Sequence, residues 1–474
     1  MSQHAERLVV VGGDATGMSA ASQAKRLRSD DLEVVVLERG GCTSYSACGI
    51  PYWVGGQVDG PDALIARTPE QHRANGLDVR MHSEAMSLDL DRRDIEVRAL
   101  EDSSTYRLGF DQLVIATGAT PVVPDWPVEG LGETHGAGRA VDEVEGLFGI
   151  QTLDDGQRVI DALAQRDPKR AVVIGGGYIG VEMAEAMVNR GLEVCMVDQA
   201  PEPMTTLDPD MGRLVRESME GMGIKVMTST TVAGLGAKAG RVHIVRTAAG
   251  EITTDLVVMG IGVRPNTKWL DGLGLPAGRS GGLRTDLQMR LPGFEGLWAG
   301  GDCIETRDLV AGEYRHVPLG THANKHGRVI GTNIGDGYAT FPGIVGTAVS
   351  KVCDLEIART GLTAKAAAKA GYQFVVSTVE STTRAGYYPD AQPLTIKMLA
   401  EQRTGRLLGV QIVGREGAAK RIDACAVALW NMMSVEELAM LDLSYAPPFA
   451  PVWDPVLIAA RKTSDVVRAQ AREG

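Results

Sequence analysis

The sequence predicts an α/β protein with two parallel-sheet units and a C-terminal α+β domain. Twice, at residues 7–27 and 171–185, a short β-branched run is followed by a glycine turn and a helical pattern. From residue 341 onward the pattern changes to strands such as YQFVVSTVE, LTIKML and LLGVQIVG, with a helix from Ala418. The 474 residues suffice for about three domains of roughly 100 to 200 residues.

Composition and charge limit the class of protein. The chain is 44% hydrophobic and 23% charged, and no apolar run approaches the roughly 18 residues of a membrane span. The opening segment MSQHAERLVVVGG lacks the features of a signal peptide, so we expect a cytoplasmic protein with no membrane partner. A net charge of −12 without clustered Lys and Arg argues against a nucleic acid partner. The six cysteines have the spacing of neither a metal site nor a secreted disulfide framework.

The first unit carries an imperfect glycine pattern. Gly12 allows a tight turn after the strand, Gly17 lets the helix pack closely on it, and Asp14 stands where a middle glycine is usual. This pattern alone is also compatible with an ordinary strand-to-helix turn. The next strand, LEVVVLE, ends at Glu38, where an acidic residue would receive ribose hydroxyls. This context favours a dinucleotide site, with the pyrophosphate at the helix N-terminus.

The second unit has the complete fingerprint. Gly175, Gly177 and Gly180 follow an apolar strand and open an amphipathic helix. The following strand, LEVCMVD, ends at Asp198, whose carboxylate would bind the ribose of NADH and repel the extra phosphate of NADPH. The next eight residues, QAPEPMTT, contain no Arg or Lys. We therefore predict NADH, with NADPH possible if an arginine from a distant loop reaches the 2′-phosphate.

Two Rossmann-like units in one chain indicate a hydride donor paired with a flavin, here NADH with FAD. Two more strands ending in glycine turns support the flavin: FDQLVIATGATP, which contains Thr117 and Gly118, and EGLWAGGDC, which contains Asp302. Asp302 is either a polyol ligand or a turn residue. We predict an FAD-binding domain at 1–125 and 280–340, an NAD(P)H-binding domain at 126–279 and a dimerisation domain at 341–474.

Cys48 is the candidate redox residue. It lies in CTSYSACGIPYWVGG, soon after the first ribose-binding acid. A cysteine near a helix N-terminus has a lowered pKa and exists partly as thiolate, which suits redox chemistry beside a flavin. A buried core cysteine is the alternative. Gly49 and Pro51 interrupt the run at this point and favour the redox role.

These segments together resemble the single-cysteine pyridine nucleotide-disulfide oxidoreductases, which comprise coenzyme A-disulfide reductases, persulfide reductases and water-forming NADH oxidases. The resemblance runs nearly end to end and rests on GGDATGMSAASQAKRL, SYSACGIPY, FDQLVIATGATP, GGGYIGVEMAE, GIGVRPN, AGGDC, AGYYPD, AAKRID and LDLSYAPPFAPVWDPV. Thr43 stands where glutathione-reductase-like enzymes have a first cysteine. Cys42 is one residue out of register, so a Cys42–Cys48 disulfide is the less favoured alternative.

The resemblance implies an FAD-dependent enzyme that reduces a disulfide or persulfide of a small thiol. Reduction of O₂ by an NADH oxidase, or of another organic acceptor, is the enzymatic alternative, and a redox-sensing flavoprotein is the non-catalytic one. Cys48 would be the nucleophile that forms a mixed disulfide or a sulfenate. Tyr445 would come from the partner subunit of a homodimer with shared active sites, and Tyr387 or Tyr388 would be the second tyrosine.

The resemblance also implies binding positions. Tyr178 would move aside for the nicotinamide, with Glu182 one helical turn further on and Gly262 in GIGVRPN among the cofactor positions. Ala47 and Trp453 replace an asparagine and a lysine of the family, so we expect a less anion-binding acceptor pocket and coenzyme A itself is in doubt. The positions that match a coenzyme A site are Ser19, Gln23, Arg26, Ser44 and Trp453.

Overall fold

The structure is a computed structural model that describes residues 6–130, 135–136 and 144–473. Within these residues no helix combines the length and the apolar character needed to cross a membrane. The first five residues of the opening segment, on which we based the expectation of no signal peptide, lie outside the described residues.

The first sheet is parallel throughout and belongs to the first nucleotide unit. Its strands are rich in Val, Ile and Leu because both faces are covered. The helices Ala15–Arg28 and Gly320–Ile334 pack against each other beside it. In spatial order its strands are Leu297–Ala299, Gln112–Ile115, Glu6–Val11, Leu32–Leu37 and Asp78–Arg80.

The second sheet repeats this architecture in the second unit. Its strands, all parallel, are in order Leu147–Gly149, Leu256–Met259, Arg170–Ile174, Glu193–Val197 and Lys225–Met227. Its helices are Leu153–Arg166, Tyr178–Asn189 and Pro209–Gly221. A mixed sheet beside it is formed by His135–Gly136, Pro127–Glu129, Val232–Lys238, Arg241–Thr247 and Gly250–Thr253.

The C-terminal domain is built on a five-stranded antiparallel sheet. In spatial order its strands are Ala348–Val352, Leu355–Gly361, Leu407–Gly414, Pro393–Glu401 and Phe374–Thr382. Its helices are Ala364–Lys369, Ile422–Trp430, Val435–Ala439 and Pro455–Glu473. The predicted fold class, two parallel α/β units followed by an α+β domain, is confirmed.

Smaller elements connect these sheets. The additional strands are Ser83–Asp89, Asp94–Ala99, Thr105–Gly109, Ala119–Pro121, Val263–Pro265, Leu283–Arg284, Ile304–Arg307 and Tyr314–Arg315. The short helices are Ile50–Val54 and Pro69–Ala74.

Glycines in the middle of the helix Gly320–Ile334 allow it to approach the helix Ala15–Arg28 closely. A Cβ on Gly327 would lie 2.3 Å from the Thr16 carbonyl oxygen, and one on Gly331 would lie 2.5 Å from that of Ala20. Glycine is required at both positions because the two helix backbones are in direct contact.

A buried hydrogen-bond network ties the second unit to the C-terminal sheet. The Asp208 carboxylate accepts hydrogen bonds from the Ala364 N–H at 3.0 Å and the Gln411 amide at 2.9 Å, and it pairs with Lys397 Nζ at 3.0 Å. Lys397 also contacts Asp210 at 2.7 Å. Asp208, Lys397 and Gln411 are buried, so the network fixes the two domains relative to each other.

Candidate active site

The first glycine of each nucleotide turn has a left-handed backbone. Gly12 has φ +111° and Gly175 has φ +100°, a conformation that favours glycine. A Cβ on Gly12 would lie 2.1 Å from the Ala116 carbonyl oxygen, and one on Gly175 would lie 2.5 Å from that of Gly260. No other residue type fits at either position.

The last glycine of each turn brings the helix onto the strand. A Cβ on Gly17 or Gly180 would lie 1.8 or 1.9 Å from the carbonyl oxygen of the first glycine of the same turn. The N-cap residues Asp14 and Gly177 make no side-chain capping hydrogen bond. The first N–H groups of both helices are therefore available to an anion such as a pyrophosphate.

The two predicted ribose-binding acids have matching environments. Glu38 accepts hydrogen bonds from the backbone N–H groups of Gly13 and Gly40, at 2.7 and 2.6 Å. Asp198 likewise accepts hydrogen bonds from the backbone N–H groups of Gly176, in its own glycine turn, and of Ala200, the latter at 2.7 Å. Each carboxylate is thus held at the end of its strand, next to the turn.

The loops after two strands meet at the junction of the two units. The Asn266 N–H donates to the Gly118 carbonyl at 2.9 Å, and the Thr117 hydroxyl donates to the Asn266 carbonyl at 2.7 Å. Gly118 and Gly262 have φ +66° and +98°, and a Cβ at either would point into open space. Thr117 and Gly118 therefore lie together at Asn266, and Gly262 lies at the other end of the same strand pair, where its carbonyl accepts the Val122 N–H at 2.9 Å.

Asp302 follows the strand Leu297–Ala299 in a short 3₁₀ turn, Gly301–Cys303. Burial raises the pKa of the Asp302 carboxyl. The turn is supported by His326, whose Nδ1 accepts the Gly301 N–H at 3.2 Å. Burial lowers the pKa of His326 to about 3, so the imidazole is neutral and can act as this acceptor. Sequence reasoning missed His326, because a histidine within a helical pattern carries no signal of its own.

Cys48 has an exposed side chain in the turn Ala47–Gly49, directly before the helix Ile50–Val54. It is not a core cysteine, and it forms no disulfide with Cys42, since both are free. The expected lowering of its pKa is wrong for the chain alone. Desolvation by the surrounding protein, followed by the charges of Glu182 and Asp302, raises the pKa of the thiol. A helix of five residues has too small a dipole to offset these effects.

Glu182 is the residue of the second unit whose charge acts on Cys48. It accepts a hydrogen bond from the Ser350 hydroxyl at 2.8 Å and another from Tyr52. Burial raises the pKa of the Glu182 carboxyl to about 7. Below about pH 7 this group therefore holds a proton close to Cys48. Tyr52 and Ser350 are further site residues that the sequence did not indicate, because a lone hydroxyl residue in an apolar run has no distinctive pattern.

Tyr178 is the first residue of the helix Tyr178–Asn189. Its phenol oxygen accepts hydrogen bonds from Arg359 Nε at 3.2 Å and from the Thr206 hydroxyl at 3.3 Å. Neither partner was predicted from the sequence. Tyr178 and Glu182 thus occupy successive turns of one helix at the border of the C-terminal domain.

Two side chains of the helix Ala15–Arg28 that match a coenzyme A site form hydrogen bonds with the helix Gly320–Ile334 instead. The Ser19 hydroxyl donates to the Asn324 amide oxygen at 3.0 Å, and the Gln23 amide donates to the Thr332 hydroxyl at 3.2 Å. Arg26 is exposed and donates to the Gln23 amide oxygen at 2.7 Å. Ser19 and Gln23 are thus turned toward the helix Gly320–Ile334.

Ser44 lies between the first nucleotide turn and a buried histidine. Its N–H donates to the Gly13 carbonyl at 3.2 Å, and its hydroxyl lies 3.0 Å from His72 Nε2. Its backbone has φ +48°. The Ser44 hydroxyl is therefore oriented by His72, a residue that sequence reasoning did not select.

Two predicted tyrosines lie side by side on the surface of the C-terminal domain. Tyr387 and Tyr445 hydrogen bond to each other, and both are exposed. This pairing identifies Tyr387, and not Tyr388, as the neighbour of Tyr445. The exposed Trp453 ring has the guanidinium of Arg461 4.9 Å from its centre. Arg461 is thus a cation beside Trp453, and the expectation of a less anion-binding acceptor pocket stays a prediction.

Two family models cover most of the chain. The pyridine nucleotide-disulphide oxidoreductase model matches residues 6–327, and the model of the dimerisation domain of the same enzymes matches residues 347–455. This chain belongs to the pyridine nucleotide-disulphide oxidoreductase family. The resemblance noted from the sequence is confirmed.

Relatives of this oxidoreductase extend over nearly its whole length. It is 35% identical to an NAD(P)H coenzyme A polysulfide/persulfide reductase of Pyrococcus horikoshii and 34% identical to an NADH oxidase of Methanocaldococcus jannaschii, in each case over 96% of this chain and 98% of the relative. The solved structure of an NAD-dependent persulfide reductase from A. fulgidus superposes with a TM-score of 0.91 at 34% identity, covering 98% of this chain and 84% of that one.

The oxidoreductase is accordingly an FAD-dependent enzyme that uses a nicotinamide nucleotide and carries a dimerisation domain. Its own residues fit both cofactors. Each unit offers an uncapped helix N-terminus, a glycine turn with no room for side chains, and a carboxylate fixed at the end of the next strand. These are the groups that bind the pyrophosphate and ribose of a dinucleotide.

Proposed function

We propose that this oxidoreductase uses NADH to reduce a disulfide or persulfide of a small thiol, with Cys48 as the residue that reacts with the acceptor. The observation that carries the proposal is the position of Cys48. Its exposed thiol lies at the border of the two nucleotide units, within electrostatic range of Glu182 from one and Asp302 from the other. The names of the relatives from Pyrococcus horikoshii and A. fulgidus support a persulfide as acceptor.

The two units divide the cofactors. We assign FAD to the first unit, with the helix N-terminus after Gly12 at its pyrophosphate, Glu38 at its ribose and Asp302 at its polyol chain. NADH belongs to the second unit, where Asp198 receives the ribose hydroxyls. FAD, when bound, supplies the transfer of an electron pair from NADH to sulfur.

Cys48 supplies the nucleophile. Its thiolate attacks one sulfur of the acceptor, forms a mixed disulfide and expels the other sulfur as a thiolate, which takes up a proton. The two electrons that NADH supplies then cleave the mixed disulfide, which restores the Cys48 thiolate and releases the second sulfur as a thiolate. Burial raises the pKa of Glu182 to about 7, so both of its forms are present near neutral pH. We assign its carboxylate the role of taking the proton from the Cys48 thiol and its acid form the role of donating that proton to the leaving thiolate. The proton that the raised Cys48 pKa retains in the resting thiol has to leave before attack.

We further propose that two chains complete each site. Tyr387, Tyr445 and Trp453 are exposed on the dimerisation domain, and the apolar Phe449 and Val452 beside them are 75% and 69% exposed. A surface of this kind is expected to be covered in the functional protein. In this arrangement the tyrosines act on the acceptor bound at Cys48 of the other chain. We also propose the domain boundaries predicted from the sequence: FAD-binding at 1–125 and 280–340, NAD(P)H-binding at 126–279 and dimerisation at 341–474.

The oxidase reaction is the second candidate. It is favoured by the relative from Methanocaldococcus jannaschii, which is named an NADH oxidase and matches as well as the reductases do. In this reaction Cys48 would cycle through a sulfenic acid, and the same residues would serve.

One experiment separates the candidates. The enzyme is reduced anaerobically with NADH and then offered O₂, coenzyme A disulfide or a persulfide, with wild type compared with Cys48→Ser and with Cys42→Ser as the matched control. We expect Cys48→Ser to lower the rate of reduction of the sulfur acceptors by about a thousandfold and Cys42→Ser to leave that rate unchanged. A Cys48→Ser enzyme that reduces every acceptor at the wild-type rate would disprove the cysteine mechanism.

The nucleotide preference has its own test. Asp198 should give NADH the higher kcat/KM, because its fixed carboxylate repels a 2′-phosphate. A tenfold advantage for NADPH would contradict this assignment, and it would leave the role of Cys48 untouched.

A further inference from the structure

The phenol oxygen of Tyr178 joins parts of the chain that are far apart in sequence. Arg359, which donates to it at 3.2 Å, lies on the strand Leu355–Gly361 of the C-terminal sheet. Thr206, which donates at 3.3 Å, lies in the second unit. The hydroxyl end of the Tyr178 ring is therefore fixed by a residue from a different domain.

The Arg359 guanidinium is committed mainly to this contact. Across the part of the chain that the structure describes, it forms no ion pair with a carboxylate, and Tyr178 is its one side-chain hydrogen-bond partner. Burial, and after it the charges of Lys325 and Arg359, lower the pKa of His322 at the start of the helix Gly320–Ile334. Arg359 thus lies where the three domains meet. A charged donor makes a stronger hydrogen bond than a neutral one, so Arg359 restrains the phenol more firmly than Thr206 does.

The helix that carries Tyr178 is held independently of this contact. Ser350, on the neighbouring strand Ala348–Val352, donates to Glu182 one turn further along the helix. Gly175 and Gly180 fix the helix to its strand by direct backbone contact. The Tyr178 ring can therefore be released by breaking its hydroxyl contacts while the helix stays in place.

We propose that Arg359 is a positioning residue that holds the Tyr178 ring across the nicotinamide site, so that NADH has to break the Arg359–Tyr178 hydrogen bond in order to bind. This inference rests on the proposed NADH-binding function of the second unit and on the role that the family resemblance implies for Tyr178, which is to move aside for the nicotinamide. Breaking the bond lowers the affinity for the dinucleotide below the value that the second unit alone would give. An arginine that only attracted the anionic dinucleotide would have the opposite effect, because its removal would weaken binding.

The test is a double-mutant cycle of Arg359→Met and Tyr178→Phe. The main measurement is the dissociation constant of NAD⁺ on the oxidised holoenzyme, by titration calorimetry, with the KM for NADH as a second readout. Arg359→Met removes one hydrogen bond to the phenol and should lower the dissociation constant by about fivefold, and Tyr178→Phe removes the Thr206 bond as well and should lower it further. The double variant should match Tyr178→Phe, because the Arg359–Tyr178 bond can be lost only once. Thr206→Val should act in the same direction by a smaller factor, which keeps the test available if Arg359→Met fails to fold.

Arg415→Met is the matched control. Arg415 lies in the same domain and pairs with the exposed Asp354 at 3.2 Å, so its removal changes the net charge equally and should leave NAD⁺ binding unchanged. An unchanged or higher dissociation constant in Arg359→Met would overturn the inference. A further change when Arg359→Met is added to Tyr178→Phe would overturn it as well.

Tyr178→Ala distinguishes a failure of this inference from a failure of the proposed role of Tyr178. Without the ring, NAD⁺ should bind at least as tightly as it does to Tyr178→Phe. If Tyr178→Ala leaves both the dissociation constant and the rate of flavin reduction by NADH unchanged, Tyr178 does not obstruct the nicotinamide at all. If Tyr178→Ala binds more tightly and Arg359→Met does not, only the role of Arg359 is wrong.

Discussion

Glu182 keeps its proton up to about pH 7 because burial disfavours its charged form. In the unfolded chain an ordinary glutamate loses its proton near 4.5. Between these two values the folded protein binds one proton more than the unfolded protein. Its stability therefore falls as the pH rises through this window, and above pH 7 the full penalty remains. A carboxyl pKa moved from 4.5 to about 7 is worth at most about 3 kcal/mol.

We predict that Glu182→Gln raises the melting temperature more at pH 8 than at pH 5, because the amide stays neutral in both states. Calorimetry of the FAD-loaded enzyme at the two pH values measures this difference. The exposed Glu193→Gln is the control and should show no such pH dependence. An equal effect of Glu182→Gln at both pH values would show that the raised pKa is not realised in solution.

The partners of individual residues were the least predictable part of the site. Cys48, Glu38 and Asp198 stand at strand ends or in interrupted runs, so their positions could be inferred from the sequence. Arg359 is 181 positions from Tyr178, and nothing in its local pattern marks the contact. The contact between Arg461 and the Trp453 ring was likewise not indicated by the sequence. The pKa of Cys48 was predicted with the wrong sign, because the desolvation of a thiol depends on residues that are distant in sequence.

At the scale of elements, the long apolar strands were predictable and the close helix pair was not. The run LLGVQIVG coincides with the strand Leu407–Gly414, and LEVVVLE with Leu32–Leu37 plus Glu38. Such strands can be predicted from the sequence because a buried strand is a continuous apolar run between turn residues. The glycines of the helix Gly320–Ile334 look like turn residues in the sequence, and only their contact with the helix Ala15–Arg28 explains them.

We predict that Gly327→Ala destabilises the first unit by about 2 kcal/mol, since its Cβ would meet the Thr16 carbonyl oxygen at 2.3 Å and neither backbone can yield. The variant should have a lower melting temperature and lose FAD more readily during gel filtration. Gly221→Ala is the matched control, because it also adds a Cβ to a helical glycine but into open space. Gly221→Ala should be neutral or slightly stabilising. Equal melting temperatures for the two variants would contradict the role of the close contact.

At the scale of the whole molecule, the buried network around Asp208 couples the second unit to the dimerisation domain. We predict that Asp208→Asn destabilises the protein by about 3 kcal/mol, because it leaves the buried Lys397 with a weaker partner. Asp210→Asn removes a carboxylate from the same lysine, but that side chain is 51% exposed, so its effect should stay within about 1 kcal/mol. Urea unfolding of both variants measures the difference. Equal losses would mean that burial of Asp208 contributes nothing to the coupling.

Sharing of the active site between chains can be tested by complementation. Cys48→Ser and Tyr445→Phe should each impair the reduction of the sulfur acceptor when every chain carries the change. After random mixing, half of the dimers contain one chain of each kind, and each of these has one intact site. About a quarter of the wild-type activity should therefore return. If no activity returns although mixed dimers form, each site is completed within one chain.

The matched environments of Glu38 and Asp198 also bear on coenzyme engineering. Each carboxylate serves as the acceptor for two backbone N–H groups, one of them in the glycine turn to which we assign the phosphates. Exchanging Asp198 for a neutral small residue to admit a phosphorylated ribose would leave both donors without an acceptor and would loosen the loop. A redesigned enzyme therefore has to supply a new acceptor for these donors together with a new cation for the phosphate.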